Sequence, residues 1–337
     1  MNHEEIILTP ILDSIEFIEM SDEEYFSDKY SNYISNSKLS LINPIQGGNP
    51  ELYKEGLKEH QQFSDSLTFG SAVHELILQP ESFFLEESVE RPTAKMGAMA
   101  DELYKYFIKG GVAVDDVLKA SDKIGYYKGK MDSIKVHNVF EKCTSYWEQR
   151  SNFEKNTLDK EPIYLDAKSR DKLKLCIESV NNNKEIQNLL HPTGLLDDPI
   201  SMNEAALFIN VKANFKGDEI ILKLKAKLDN FTIDLENNYL VLNDLKTTGH
   251  YLTKFSESFE KYRYFRQMAM YIWLLKLYAA KYHNMNTVNS LTANMLLIST
   301  IPDYRAGIFK VSKNQIEKGF REFSDLLKRV AKLELEC

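Results

Sequence analysis

Val241-Leu242-Asn243-Asp244-Leu245-Lys246 is the stretch on which the reading of this chain turns. Apolar and polar residues alternate toward its end, the pattern of a half-buried strand. Alternation puts Asp244 and Lys246 on one face and Leu245 on the other. Fifteen residues upstream lies Asp229, inside the alternating run Leu222 to Ile233. Asn237-Asn238 between the two runs is a hairpin signal. An antiparallel hairpin through it brings Asp229 beside Asp244. Two carboxylates held that close repel unless a positive charge sits between them, and a divalent cation supplies one. Magnesium takes oxygen ligands from one or two carboxylates plus water and phosphate. It polarises a phosphate and lowers the pKa of bound water. A lysine two residues on can orient or deprotonate that water, or steady charge growing on the phosphate. Asp-x-Lys is short, and a surface ion pair produces the same letters. The pattern [Asp/Glu]-x-Lys occurs twice, at Asp166-Ala167-Lys168 and at Asp244-Leu245-Lys246. The first opens a helix, where capping explains it; the second has a strand, a hairpin and an upstream acid.

Working outward, Ala205 to Val211, Ile220 to Ile233 and Tyr239 to Leu245 read as strands, broken at Gly217-Asp218 and Asn237-Asn238. Phe259 to Tyr282 predicts one long amphipathic helix. Asn294 to Ser299 and Ala306 to Val311 predict two more strands, and Ser312 to Leu335 a closing helix. Residues 35–200 read as mainly helical. Ser37 is expected to cap a helix through Leu39, Leu41 and Ile42 that stops at Pro44. Phe69 to Gln79 is a helix ended by Pro80. Met96 to Lys109 is another, stopped by Gly110-Gly111, with Met99, Leu103, Tyr106 and Phe107 at helical spacing. Asp166 caps a helix with Leu173, Ile177 and Val180 on one face. The fold class is therefore α/β (α+β), with a mixed central sheet flanked by helices and a helical N-terminal half. In domain terms, residues 1–34 form an acidic N-terminal segment. Residues 35–337 form a single domain, with a helical part to 200 that includes 69–79 and a sheet-bearing core from 201 to 337.

The 337 residues are 43% hydrophobic and 27% charged, ordinary for a globular protein. Its charge of −8 is unevenly spread. Residues 1–30 hold nine acids (Glu4, Glu5, Asp13, Glu16, Glu19, Asp22, Glu23, Glu24, Asp28) against Lys29 alone, which accounts for the whole imbalance. The rest is neutral on balance and free to carry a basic face. The acidic segment is either a solvated surface or a DNA-mimicking or partner-binding arm. Between 251 and 285, Lys254, Lys261, Arg263, Arg266, Lys276 and Lys281 outnumber Glu257 and Glu260, with Tyr262, Tyr264 and Phe265 interleaved. Basic and aromatic side chains together suit phosphate contact and base stacking, although a solvated helix face over a buried aromatic stripe has the same composition. Arg91 and Lys95, around Pro92-Thr93, are further phosphate candidates.

No apolar run is long enough for a membrane span, and the acidic start lacks the basic region of a secretory leader. Cys143, Cys176 and Cys337 are far apart, which fits reduced thiols in a cytoplasmic compartment better than disulfides or a zinc site. HExxH, GxSxG, GxxxxGK[ST] and GxGxxG motifs are all absent, which excludes zinc-protease, elbow-type hydrolase, P-loop motor and dinucleotide chemistries of those kinds.

The order Asp229…Asp244-Leu245-Lys246-Thr247-Thr248, followed by a helix bearing Gln267-Met268-Ala269-Met270-Tyr271, resembles the PD-(D/E)XK nuclease superfamily, with its restriction-endonuclease-like core. More narrowly it is similar to the RecE-type exodeoxyribonucleases of phages and prophages (YqaJ and lambda-exonuclease-like). Met20 to Tyr25 and Ile34 to Ile42 are similar to that family's opening. Phe69-Gly70-Ser71-Ala72-Val73-His74-Glu75-Leu76 is similar to its first core helix, and Lys225-Ala226-Lys227-Leu228-Asp229 to the strand of its first acid. These matches span most of residues 16–280. Leu228 departs from the nominal Pro of the PD pair, a position where the superfamily often lacks proline.

The resemblance implies that Asp229, Asp244 and the backbone carbonyl of Leu245 bind metal, with His74 completing the shell. Lys246 becomes the catalytic lysine. Gln267 and Tyr271 face the site, and Glu204 is set beside a further acid of the family. It implies a magnesium-dependent exodeoxyribonuclease, with manganese equally acceptable to such ligands. The enzyme would digest double-stranded ends 5′-to-3′ and leave 3′ single strands for recombination, as a homo-oligomeric ring beside a single-strand annealing protein. It would act in the cytoplasm, the host's if phage-encoded. The alternatives are another nuclease of the superfamily, cutting single strands or nicking, and a non-catalytic DNA-binding protein of the same fold.

Overall fold

The computed structural model describes residues 6–56, 65–81, 83–127, 129–156, 162–192 and 199–336. Glu4 and Glu5 of the acidic segment, and Cys337, lie outside them. In chain order the elements are strands β1 (Ile7–Pro10) and β2 (Glu16–Ile18), then helices α1 (Asp22–Tyr25), α2 (Asn36–Leu41), α3 (Pro50–Gly56), α4 (Asp65–Leu78), α5 (Ala94–Phe107), α6 (Val114–Ile124), α7 (Ser133–Asn156), α8 (Ala167–Asn181) and α9 (Lys184–Leu190). Strands β3 (Ile200–Phe215), β4 (Asp218–Asp234) and β5 (Tyr239–Thr248) follow, then α10 (Phe255–Lys261), α11 (Tyr264–His283), β6 (Ser290–Ser299), β7 (Ala306–Lys310) and α12 (Lys313–Leu335). The chain forms two compact units: Met1–Gln61 with Val180–Cys337, and Gln62–Ser179.

The first unit is built on one seven-stranded sheet in the order β1-β3-β4-β5-β6-β7, with β2 also paired to β3. Pairing is antiparallel except between β5 and β6, which run parallel and are joined through α10 and α11. The β3–β4 turn is Lys216-Gly217, both at positive φ (+58° and +99°). That is the two-residue geometry whose twist matches the strands, and glycine takes its second place without strain. At the β4–β5 turn the Asp234 carboxylate accepts from Asn237 N at 3.0 Å and Asn238 sits at φ +51°, so the hairpin forms at the expected asparagines. Sheet and helices bury Leu207, Leu224, Leu228, Phe231, Leu242, Met295, Phe265, Met268, Ile272 and Leu326 in one core. Each such side chain contributes about 1.5–3 kcal/mol on burial. No helix among the described residues is long and apolar enough to cross a membrane.

Three local readings change. Ser35 rather than Ser37 caps α2, its hydroxyl accepting from Lys38 N. The helix expected over 259–282 is two helices, because Arg263 adopts a left-handed conformation (φ +58°) and its Nε reaches Glu322 Oε2 of α12 at 3.0 Å. The periodicity of the apolar residues survives the break, which is why the sequence hides it. The acidic segment contains two strands: Ile7–Pro10 pairs with β3 at Val211–Asn214, and Glu16–Ile18 at Ala206–Phe208. Both are too short to stand out from their acidic neighbours. The closing helix starts where expected, with Ser312 and Gln315 forming its capping box. This helix packs on α11 so closely that a Cβ on Gly319 would lie 2.1 Å from Phe265 O. Gly319→Ala is therefore expected to destabilise the chain by about 1–3 kcal/mol, read from the urea midpoint.

The second unit is helical. Val89, Met99, Leu103, Val117, Val139, Cys143 and Trp147 form its core, with Trp147 Nε1 donating to Ala100 O at 2.8 Å. Asp166 caps α8 by accepting from Ser169 N at 3.1 Å, as expected. Cys143 and Cys176 are buried thiols outside any disulfide.

Candidate active site

Strand pairing places the acids. Asn230 of β4 is registered with Asn243 of β5, so Asp229 and Asp244 are the next residues along and point to the other side of the sheet. There the Leu245 N–H donates to Asp229 Oδ2 at 2.6 Å, tying β5 to the acid of β4. Lys246 Nζ lies 2.7 Å from Asp244 Oδ2 and 3.3 Å from the Leu245 carbonyl oxygen. From α11, Gln267 Nε2 donates to Asp244 Oδ1 at 2.9 Å and to the Tyr271 hydroxyl at 3.1 Å. The spacing of Gln267 and Tyr271, one helical turn, is what lets one amide serve both. The structure thus gathers Asp229, Asp244, Lys246, Gln267 and Tyr271 into one constellation. Asp244 lies at its bottom with no exposure, and Lys246 is 22% exposed at its mouth.

Glu204 joins them. Its flanking residues pair as Asn203 with Asn230 and Ala205 with Leu228, which sets Glu204 opposite Asp229. Carboxylate oxygens of Glu204 and Asp229 approach within 4.8 Å of each other. Glu204 holds φ +51° inside a strand, a conformation that costs a non-glycine residue of order 1–3 kcal/mol and clusters at functional sites. Lys227 Nζ sits 2.7 Å from Glu204 Oε2 and also pairs with Asp22 of α1. Alternation from Asp229 places Lys227 on the same face.

The charges decide protonation. Burial pushes the Asp229 carboxyl up, and Lys246, the Leu245 N–H and Lys227 only partly offset this. Burial favours a neutral Lys246 amine, but Asp244 and Asp229 overrule it, and its pKa is held above the ordinary lysine value. Lys246 is therefore an ammonium here. Burial, with Asp244 nearby, pushes Tyr271 well above the usual phenol value, so it stays protonated. Tyr264 is raised by burial too, and its ring centre lies 5.7 Å from Lys246 Nζ.

Three carboxylates around two ammonium groups leave a negative surplus, and their donors are all hard oxygens. That is the donor set a small divalent cation takes, so the residues present fit a metal of that class.

His74 lies on α4 in the helical unit, half-buried. The basic candidates differ in their exposure. Lys254 and Lys261 are exposed, on either end of α10. Lys95 is exposed and donates to Gly125 O at 2.9 Å. Arg263 is half-buried against Glu322. Arg266 and Arg91 do not face solvent. Arg266 is fully buried among Asn36, Ser40, Gln46 and Glu322. Arg91 is 5% exposed and pairs with Asp101 at 2.8 Å. A basic-aromatic composition cannot tell a guanidinium that reaches water from one that fastens helices together.

A mixed sheet carrying clustered acids and a lysine on adjacent strands is the architecture of a metal-dependent nuclease class. The profile of the PD-(D/E)XK nuclease superfamily matches residues 52–334, and the chain belongs to that superfamily. Its nucleases depend on divalent metal. Among solved structures, a protein from Eubacterium rectale that carries a provisional exonuclease designation is similar at 12% identity. The match covers 95% of this chain and 88% of that one, with a TM-score of 0.47. No curated protein matches the chain.

Proposed function

We propose that this protein is a magnesium-dependent deoxyribonuclease that hydrolyses phosphodiester bonds at the Asp229–Asp244–Lys246 constellation. The observation that carries the reading is the closure of those three residues on one another: Leu245 N–H to Asp229, and Lys246 to Asp244. Asp229, Asp244 and the Leu245 carbonyl would hold the metal, with Glu204 and His74 as further ligands. When bound, the metal supplies Lewis-acid polarisation of the phosphate and an activated water. Lys246, kept as an ammonium by two carboxylates, is placed to steady negative charge on the phosphate rather than to take a proton. Gln267 fixes the Asp244 carboxylate from behind and is itself anchored on the Tyr271 hydroxyl. Exposed Lys254 and Lys261, with exposed Tyr251 and Tyr262 beside them, would contact the DNA backbone and bases, and Lys95 is a second contact.

Within this reading we favour exonuclease action on double-stranded ends. The 5′-to-3′ polarity, a ring of subunits and a strand-annealing partner rest on the RecE-type resemblance alone. The test is end-labelled linear duplex beside relaxed circular plasmid, each with magnesium and with EDTA. The expected result is release of label from the linear substrate in magnesium, none in EDTA, and an intact circle. Nicking of the circle would replace the exonuclease reading with an endonuclease one. Undiminished linear digestion in EDTA would overturn the metal site.

A further inference from the structure

Behind the acids, on the opposite side of the sheet, four asparagines stand in a row across four neighbouring strands. Asn203 of β3 is registered with Asn230 of β4, Asn230 with Asn243 of β5, and Asn243 with Asn294 of β6. Their amides join end to end. Asn230 Nδ2 donates to Asn203 Oδ1 at 2.7 Å, Asn243 Nδ2 to Asn230 Oδ1 at 2.7 Å, and Asn294 Nδ2 to Asn243 Oδ1 at 2.9 Å. Asn243 Nδ2 also reaches Leu189 O of α9 at 3.2 Å. Asn230 and Asn243 are 1% exposed and Asn294 is fully buried. The row ends there, with Asn294 Oδ1 meeting no donor among the described residues.

Such a row is a poor way to gain stability. Buried amides cost desolvation that apolar side chains do not, and an acceptor left without a donor adds to that cost. What amide pairing does provide is discrimination: the bonds form in one strand register and are lost in any other, as a single buried asparagine fixes register in a coiled coil. Three of the four asparagines are chain neighbours of the clustered acids, as Asn203-Glu204, Asp229-Asn230 and Asn243-Asp244. A one-residue slip of any of these three strands in the direction of its asparagine would exchange an acid for an amide on the site face. Mutual repulsion of the carboxylates favours such slips and local rotations. The row opposes them at the positions where they would do most harm.

We propose that Asn203, Asn230, Asn243 and Asn294 are positioning residues that lock the register of the three acid-bearing strands and thereby set the affinity of the site for a divalent cation. They touch neither metal nor DNA. This inference rests on the site proposed above, and its test separates the two.

The test is the full-length Asn230→Leu/Asn243→Leu variant, which keeps the strand interface filled while removing its register-specific bonds. Magnesium and manganese affinities are measured by titration calorimetry without DNA, beside thermal melting and the kcat and KM for linear duplex. The expected result is a folded variant with a cooperative melt and metal binding weakened at least about tenfold, the scale of lost outer-shell support. kcat is expected to fall while KM for DNA stays unchanged. Parental metal affinity and kcat in the folded variant would overturn the proposal. If that variant does not fold, Asn294→Leu removes only the end of the row, and there a metal affinity equal to the parent's overturns it. Asp229→Asn is the control: loss of metal binding in it with parental binding in the asparagine variants refutes the row alone. Unchanged binding in Asp229→Asn refutes the site and the row together.

Discussion

Lys246→Gln is expected to slow phosphodiester cleavage by about 10²–10⁴-fold, the range for removing a group that acts on the transition state. Duplex affinity measured in EDTA should stay within about threefold of the parent's. The asymmetry follows from the geometry. The ammonium is held by Asp244 and Asp229 rather than lying on an open surface, so it contributes little to ground-state attraction of DNA. Asp244→Asn should be equally inactive for a different reason. It removes charge from the metal set and breaks the ion pair with Lys246, so metal affinity falls together with the rate. Single-turnover cleavage and fluorescence anisotropy distinguish the two quantities, and a thermal melt shows that each variant is folded. Parental cleavage rates in both variants would end the nuclease assignment.

Glu322→Ala is expected to cost about 3–5 kcal/mol of stability, the effect of orphaning a buried charge. Arg266 is wholly buried, and burial pushes its pKa down to about 10 even with Glu322 beside it. Glu322 Oε1 accepts from Arg266 Nη1 at 3.1 Å and from Asn43 Nδ2 at 3.0 Å, while its other oxygen takes Arg263. One carboxylate thus joins α11, α12 and the turn after α2. Replacing Arg266 and Glu322 together by Met and Leu should be markedly less damaging than Glu322→Ala alone, because the pair's desolvation cost disappears with its attraction. Urea denaturation monitored by tryptophan fluorescence and circular dichroism reads both. A Glu322→Ala midpoint equal to the parent's would mean that Arg266 is not buried in solution.

The strands that carry the site were legible because their signals are local. Alternation located β4 and β5 to within about three residues but began β3 at Ala205, past Glu204, where the strand starts at Ile200; Asn237-Asn238 announced the hairpin that joins Asp229 to Asp244. Gln267 and Tyr271 were singled out by the family resemblance, and helical spacing adds only that they share one face. Glu204 was the harder case: its place opposite Asp229 comes from β3–β4 register, which no single-strand pattern states. Lys227 and the asparagine row are of the same kind, since both are defined by what lies across the strand rather than along it. The basic stretch after residue 250 misled for a related reason. Arg266 is read correctly as a base on a helix, yet its partners Asn36, Gln46 and Glu322 come from segments far away in the chain. The break at Arg263 escaped notice because a left-handed residue can interrupt the hydrogen-bond ladder without disturbing the apolar stripe.

Sixteen residues of β3 and seventeen of β4 make long, β-rich ribbons, the kind of element that seeds intermolecular pairing when its edge is bare. The outer side of β3 is occupied by two fragments of four and three residues drawn from the acid-rich beginning of the chain, and the far side of the sheet closes on the five-residue β7. The two fragments cover Ala206–Phe208 and Val211–Asn214 of that edge, and the charges beside them discourage further strands from adding there. Trimming the acidic segment is therefore expected to leave the sheet intact in its centre but adhesive along one rim.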